Sequence, residues 1–468
     1  MNRQGFCWTE LALAFSLMIL CVRSYRISID EYAIADPALS LLLEGNVDVD
    51  EYPELHHVSF MRDGHYYPWC TPFFGLLFAP FYLVGNPYGY GHVLETIPSI
   101  LAIIGSMVLV HRKLKCFGVK ECVAKFSGWN FAFGTVTLFY CMTILRHPVA
   151  GFVALAVYCG LSSETPKWKL ALLGVLAGSL VLINEFFLGV LAFFAVFSPL
   201  LLENRKRWLA YVLGMVPPLL LFSAYNQLII GNAFVTTRML EPRTASWFTG
   251  QPSLVRALAQ LYSPRCGLFV FTPLFILPIV AFFVSFKAKK GGKVGGLKDV
   301  ARYVLRFKHQ VFLTGWIATL LLSASTFTLI AGDFAWGPRL VTEVCAPFAI
   351  LTGLALDKIR SWKGKLLVSV LFVWGVFLNV VGVLTEQWMF YFTADKRGLL
   401  GVYYYDVNPF YPVWQYPHSV WLFTLREFFR NPTSYSWFAI IPQTALMSFF
   451  VVLVPAITIG LAFLWAKQ

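Results

Sequence analysis

Charge is scarce in this chain. Only 13% of its 468 residues are Asp, Glu, Lys or Arg, and 58% are hydrophobic. A soluble domain carries about 25% charge, so an ordinary globular fold is excluded and a polytopic membrane protein is implied. Several signatures are also missing. No Walker loop, GxGxxG, HExxH or ordered Ser/His/Asp set occurs, so the chemistries those motifs carry have no support here. The nine cysteines form no CxxC pair and no Cys/His metal spacing. Scattered in or beside apolar runs, they read as small apolar residues rather than a disulfide framework. No Asn-x-Ser/Thr sequon with a permitted middle residue is present, because Asn431-Pro432-Thr433 is barred by its proline. That fits a prokaryotic protein.

Apolar sequence is what the chain has in abundance. About 20 such residues cross the hydrocarbon of a bilayer. Twelve candidate spans follow, near 8–23, 91–111, 121–141, 147–163, 170–185, 186–202, 209–230, 267–286, 310–331, 340–356, 365–385 and 439–465. The first is followed by Arg23 and Arg26 rather than a small-residue cleavage site, and reads as a signal anchor. The predicted fold is an all-α polytopic membrane protein, one domain over 1–468, with no soluble domain and no clear internal repeat. The split at 170–202 assumes a hairpin at Asn184-Glu185.

The net charge of +13 does not mark a nucleic-acid binder, because the basic residues sit in short loops between apolar runs. With the N-terminus inside, the cytoplasmic segments hold 24 of the 37 Lys+Arg and 6 of the 24 Asp+Glu, a net of +18, leaving −5 elsewhere. The positive-inside rule supports this orientation and this count. The outer face then carries three large loops, 24–90, 231–266 and 386–438. Residues 71–85 are apolar but short and interrupted by Pro72 and Pro80, and read as an interfacial or re-entrant helix. The basic stretch 287–300 reads as a flexible cytoplasmic linker with some attraction for anionic lipid.

The loop 24–90 holds nine of the 24 acidic residues. Asp30-Glu31 follow the first span closely. A carboxylate at that depth can accept a proton from a hydroxyl while a lipid-linked substrate lies in the outer leaflet; a solvated acidic loop is the plain alternative. Asp48-Val49-Asp50 matches a DxD metal pattern, in a loop that is acidic throughout. Asp333 and Arg339, in GDFAWGPRL, occupy a tight turn between two spans, where a planar guanidinium suits phosphate oxygens or pairs with Asp333. Glu343, four residues on, reads as an i,i+4 partner of Arg339. Arg146-His147 and Asn184-Glu185 end spans and either line a cavity or cap helices. Arg238 and Arg243 in the second loop are further candidates for phosphate. The aromatics of the last loop, Tyr403-Tyr404-Tyr405, Trp414 and Trp421, stack on a sugar or form an interfacial belt.

The signal anchor, the acidic pair Asp30-Glu31, the segment DGHYYPWCTPFFGLLFAPFYLVG, and the motifs YSPRCGLFVFTPLF and GDFAWGPRLVTEVCAPF together resemble the GT-C superfamily of integral membrane glycosyltransferases. The nearest branches are the dolichyl-phosphate-mannose protein mannosyltransferases and the lipid A aminoarabinose transferase group. The resemblance implies a polyprenyl-phosphate sugar donor, a lipid, glycan or protein acceptor, no cofactor and no obligatory metal. It implies Asp30 as base with Glu31 as its acidic neighbour, and Arg339 at the donor phosphate. Better-known members open the interfacial helix with Lys-Pro-Pro and use that lysine on phosphate. Here Trp69-Cys70-Thr71-Pro72 stands in its place, so Arg62 or His65 is the expected substitute, beside Arg243. Arg146, His147, Glu185 and Asp333 are expected to line the cavity. A prokaryotic plasma membrane is expected over endoplasmic reticulum. Competing classes are a lipid or solute transporter, a lipid-linked glycan flippase, and a non-catalytic scaffold. Charges collected at the outer edge and the lack of repeats favour the enzyme.

Overall fold

A computed structural model describes residues 5–23, 25–26, 28–56, 59–240, 250–263, 267–288, 307–327, 337–384, 454–455 and 457–460. Among them the chain is helical except for one antiparallel hairpin, Ser59–Arg62 with His65–Pro68, which the all-α expectation omitted. Its turn is Asp63-Gly64, with φ of 53° and 88°. Two successive positive φ values are what a tight two-residue hairpin turn demands, and Asp-Gly is a preferred pair for it.

Among the described residues five helices are long and apolar enough to cross a membrane: Gly91–Cys116, Glu185–Leu202, Arg205–Ile230, Arg339–Leu356 and Trp362–Leu384. A sixth arises if Val136–Met142 and His147–Gly160, which meet at 119°, count as one broken span. This is a multi-pass integral membrane protein. Helix length and composition account for five or six crossings of the twelve expected. The other predicted spans among the described residues consist of shorter pieces. Examples are Trp8–Ile19, Glu121–Phe133, Lys167–Gly178 with Leu180–Ile183, and Lys308–Ala324. Most of 439–465 lies outside the described residues.

The breaks have local causes. Thr135 is extended and its hydroxyl caps Thr137 N, which starts the 3-10 turn Val136–Met142. Pro148 sits in the first turn of His147–Gly160, where its missing N–H leaves no helical bond unmade. Asn184 is extended (φ −169°, ψ 137°) and its side chain accepts from Phe186 N, so the helix stops at Ile183 and restarts through a 3-10 turn. Non-helical backbone of this kind is tolerated at membrane depth only when buried in protein or lining a cavity.

In lipid, burial of apolar surface between helices gains little, and close fit takes over. A Cβ on Gly174 would stand 2.9 Å from Gly214 Cα, so the Lys167–Gly178 and Arg205–Ile230 helices meet at their backbones. Tyr158, Phe194, Phe312 and Trp316 interlock nearby, with Phe194 and Trp316 edge-to-face at 5.2 Å. Arg23 Nη2 donates to Val383 O at 3.0 Å, joining the end of the first helix to the end of Trp362–Leu384.

Residues 29–90 fold into short helices around that hairpin. Ile29–Leu43 is the longest. The 71–85 stretch is not one interfacial helix but two, Pro72–Gly75 and Ala79–Gly85, each opened by a proline. Gly75 lets the first of these lie directly on Ile29–Leu43, since a Cβ there would run into the Ile34 carbonyl and stand 2.7 Å from Ala38 Cβ.

Candidate active site at the helix breaks

Asp30 and Glu31 belong to a helix rather than a loop. Ser28 is extended at the N-cap and Ile29 begins the helix, so both acids fall in its first turn. Carboxylates there face the positive end of the helix dipole. Neighbours on a helix point about 100° apart. Accordingly the Asp30 side chain is 21% exposed while Glu31 is buried. Of the pair, Asp30 is the more exposed.

Arg339 arrives from the far end of the chain. Gly337 takes a left-handed φ of 68°, Pro338 follows, and Arg339 opens the 3-10 turn Arg339–Val344. The Arg339 guanidinium donates through Nη2 to Asp30 Oδ2 across a sequence separation of 309, with 8% of its side chain exposed. The two residues expected to act together are thus in direct contact.

Arg26 holds the helix that carries Asp30. Its Nη1 donates to Asp36 Oδ1 at 2.7 Å, and its Nε and Nη2 donate to the two oxygens of Glu95 at 3.1 Å each. All three side chains are 3% exposed or less. Tyr32 and Tyr82 cover the guanidinium at 5.0 and 5.3 Å. Burial opposes the charge on Arg26, but Glu95 and Asp36 outweigh it and raise its pKa. Sequence reasoning missed this group, because Arg26 looked like an ordinary charge flanking a span and Glu95 lies 69 residues away.

Two further breaks gather polar side chains. Arg146, at the end of one, stacks over Phe186 and Phe187 of another, at 5.3 and 6.0 Å. His147 Nδ1 donates to Glu343 Oε1 at 2.8 Å, with Arg146 Nε 3.9 Å from the same oxygen. Glu343 therefore pairs with His147 and not with Arg339. The i,i+4 expectation assumed an α-helix, whereas this segment is a 3-10 turn interrupted at Val341 (φ −126°, ψ 18°). Glu185 opens the 3-10 turn Glu185–Phe187 beside them and is half-buried.

Arg62 and His65 face each other across the hairpin and reach partners outside it. Arg62 donates to Ile229 O and pairs with Asp63 at 3.2 Å. His65 Nδ1 lies 2.6 Å from Asp50 Oδ2 and 3.9 Å from Asp48 Oδ2. The Tyr66 amide, and then His65, hold the Asp50 pKa below its ordinary value, and Asp50 raises that of His65. Asp48, Asp50 and His65 offer three ligand atoms within 4.8 Å of one another, so the DxD gains a histidine that sequence spacing did not reveal. Arg243, Asp333 and the last-loop aromatics Tyr403, Tyr404, Tyr405, Trp414 and Trp421 lie outside the described residues.

The fold has a counterpart among solved structures. ArnT from Cupriavidus metallidurans, solved bound to undecaprenyl phosphate, matches 97% of this chain and 78% of its own with a TM-score of 0.50 and 14% identity. The fold is that of ArnT. The apo ArnT structure gives a TM-score of 0.47 over 96% and 76% of the two chains, again at 14% identity. No protein-family model matches the chain, and no curated protein sequence does. The architecture expected from the motifs, that of the lipid A aminoarabinose transferase group, is therefore matched at the level of the fold. At this identity ArnT transfers a fold and not a set of roles, so the roles of Asp30 and Arg339 rest on their geometry.

Proposed function

We propose that this chain is a glycosyltransferase. It moves a sugar from a polyprenyl-phosphate donor to an acceptor hydroxyl at the extracytoplasmic face of a prokaryotic plasma membrane. The observation that carries the reading is the meeting of Asp30 and Arg339 in an ArnT-like fold. A carboxylate able to take a proton and a guanidinium able to hold a phosphate stand in contact near the first helix of a membrane protein. The donor class is supported by the undecaprenyl phosphate bound to ArnT.

In the proposed reaction the donor phosphate takes the place of Asp30 on Arg339, and the freed Asp30 accepts the proton of the acceptor hydroxyl. The hydroxyl oxygen forms a bond to the anomeric carbon from the face opposite the phosphate, while the carbon–oxygen bond to phosphate breaks. Polyprenyl phosphate departs with the electron pair, and its charge is offset by Arg339, a cation positioned before the charge develops. Asp30 returns its proton to water. One displacement inverts the anomeric configuration, as in inverting glycosidases. Arg339 supplies the positive charge, so the reaction is read as metal-independent, with Arg243 as a second phosphate cation. Arg146, His147, Glu185 and Asp333 remain the proposed cavity lining. The twelve-span topology is part of the same reading. Loops 24–90, 231–266 and 386–438 lie outside, and several spans are broken helices.

Asp30→Asn tests it. Glycan product in membranes at matched expression should fall by about 10²–10⁴-fold, the usual contribution of a general base. Product at the wild-type level in that variant removes Asp30 as the base. Product that collapses when EDTA is added to the wild type removes the metal-independent step.

A further inference from the structure

The backbone segment that presents Arg339 is weakly defined by its own hydrogen bonds. Runs of 3-10 helix longer than three or four residues are uncommon because their bonds are poorly aligned, and Val341 leaves helical geometry inside this one. External contacts must set its register, and two of them fall on the same broken span. At one end, a Cβ on Gly337 would stand 2.8 Å from Val136 Cγ2, so the turn lies against the Val136–Met142 piece. At the other end, Glu343 accepts from His147, the first residue of the His147–Gly160 piece. The His147 ring in turn packs at 4.7 Å against Tyr140 of the first piece. Arg339 lies between these two pins.

The second pin is an unusual one. The His147 and Glu343 side chains are 0% and 1% exposed. A carboxylate accepts at Nδ1, so the imidazole carries a proton there. Its Nε2, and the second oxygen of Glu343, are buried with no hydrogen-bond partner among the described residues. Buried polar atoms left in that state cost stability, and apolar residues would fill the space at less cost.

We infer that Glu343, acting through His147, is a positioning residue for Arg339. It fixes the far end of the turn to the broken span, so that the guanidinium stands where Asp30, and then a phosphate, can meet it. The inference rests on the proposed role of Arg339 and deepens it.

Undecaprenyl phosphate binding to the full chain in detergent is the test, with melting temperature measured alongside. Arg339→Lys reports on the phosphate role itself. Glu343→Leu removes the pin at similar volume, and Glu343→Gln keeps an oxygen that can accept from His147. We expect Glu343→Leu to weaken binding about tenfold, and Glu343→Gln less than about threefold, a difference on the scale of one hydrogen bond. Combined with Arg339→Lys, Glu343→Leu should add less than about twofold, because a positioning residue has nothing left to position. Should Glu343→Leu not survive extraction, Glu343→Asp keeps the charge on a shorter arm, and weakening of about threefold or more is expected. Glu343 variants that bind normally while Arg339→Lys does not, or losses that add in full, overturn the inference alone. Normal binding by Arg339→Lys overturns the phosphate role and the inference together.

Discussion

Replacing Arg26 by methionine should unseat the helix that carries Asp30. Arg26 is the counter-charge of two carboxylates, Asp36 and Glu95, each 3% exposed or less. Removing one member of a buried ionic group strands the rest, and costs about 3–5 kcal/mol. A drop in melting temperature of several degrees is the expected sign. The functional effect follows from leverage. Asp36 and Asp30 are separated by about 9 Å of helix axis, at about 1.5 Å per residue. Each tilt of about 10° around Asp36 then moves Asp30 by about 1.5 Å, and misplacing a reacting group by about 1 Å can cost about 10²-fold in rate. Arg26→Lys is the informative partner. It keeps the charge but lacks the fork that bonds both Glu95 oxygens, so it should recover part of the stability and little of the transfer. The assays are thermal unfolding of the purified protein and glycan product in membranes. An Arg26→Met protein that melts with the wild type and transfers at its rate would refute the leverage argument.

Two other perturbations act at a distance from that group. Gly337→Ala places a side chain at a φ of 68° and within 2.8 Å of Val136 Cγ2. The backbone contribution alone is about 1–2 kcal/mol. Undecaprenyl phosphate binding should weaken, and Val136→Ala in the same chain should restore part of it; no recovery would show the contact to be irrelevant. The hairpin should respond to pH. His65 titrates above its ordinary 6.5, raised by the hydrogen bond and charge of Asp50 and by Asp48 and Asp63, so its contribution is complete below that value and fades as pH rises through the raised one. Asp50 titrates below its ordinary 3.8, and its contribution fades only as pH falls through the lowered one. Raising the pH from about 6 to about 9 should therefore lower the melting temperature more in the wild type than in His65→Gln. Equal slopes would show that the pair does not act.

How much of this was legible in the sequence varies residue by residue. Asp30 was legible as a candidate because the end of the first apolar run lies just before it. Arg339 was legible because a charge in a short turn between spans is costly unless used. Their contact was not, since 309 residues separate them and no periodicity relates the two. The same holds for Arg26 with Glu95. Glu343 was misread because an i,i+4 spacing has meaning only on an α-helix, and a 3-10 segment with a kink turns the carboxylate to another neighbour. The hairpin was within reach. Asp63-Gly64 between Ser59–Arg62 and His65–Pro68 is a turn signal, masked by the reading of 24–90 as an acidic loop. The breaks at Asn184 and at Thr143–Arg146 fall at the boundaries between the predicted spans 170–185 and 186–202 and between 121–141 and 147–163, because polar residues between apolar runs mark them in the sequence.

The contact between Arg339 and Asp30 gives the resting site a particular thermodynamic character. A phosphate that reaches Arg339 displaces an anion already there, so headgroup recognition is an exchange rather than a neutralisation. The Coulomb energy gained is then a difference between two similar quantities, and added salt, which screens both, should shift donor affinity little. On the proposed function, most of the affinity must come from the polyprenyl tail. A soluble sugar phosphate with the same headgroup would be a poor competitor, and a sugar-free polyprenyl phosphate a good one.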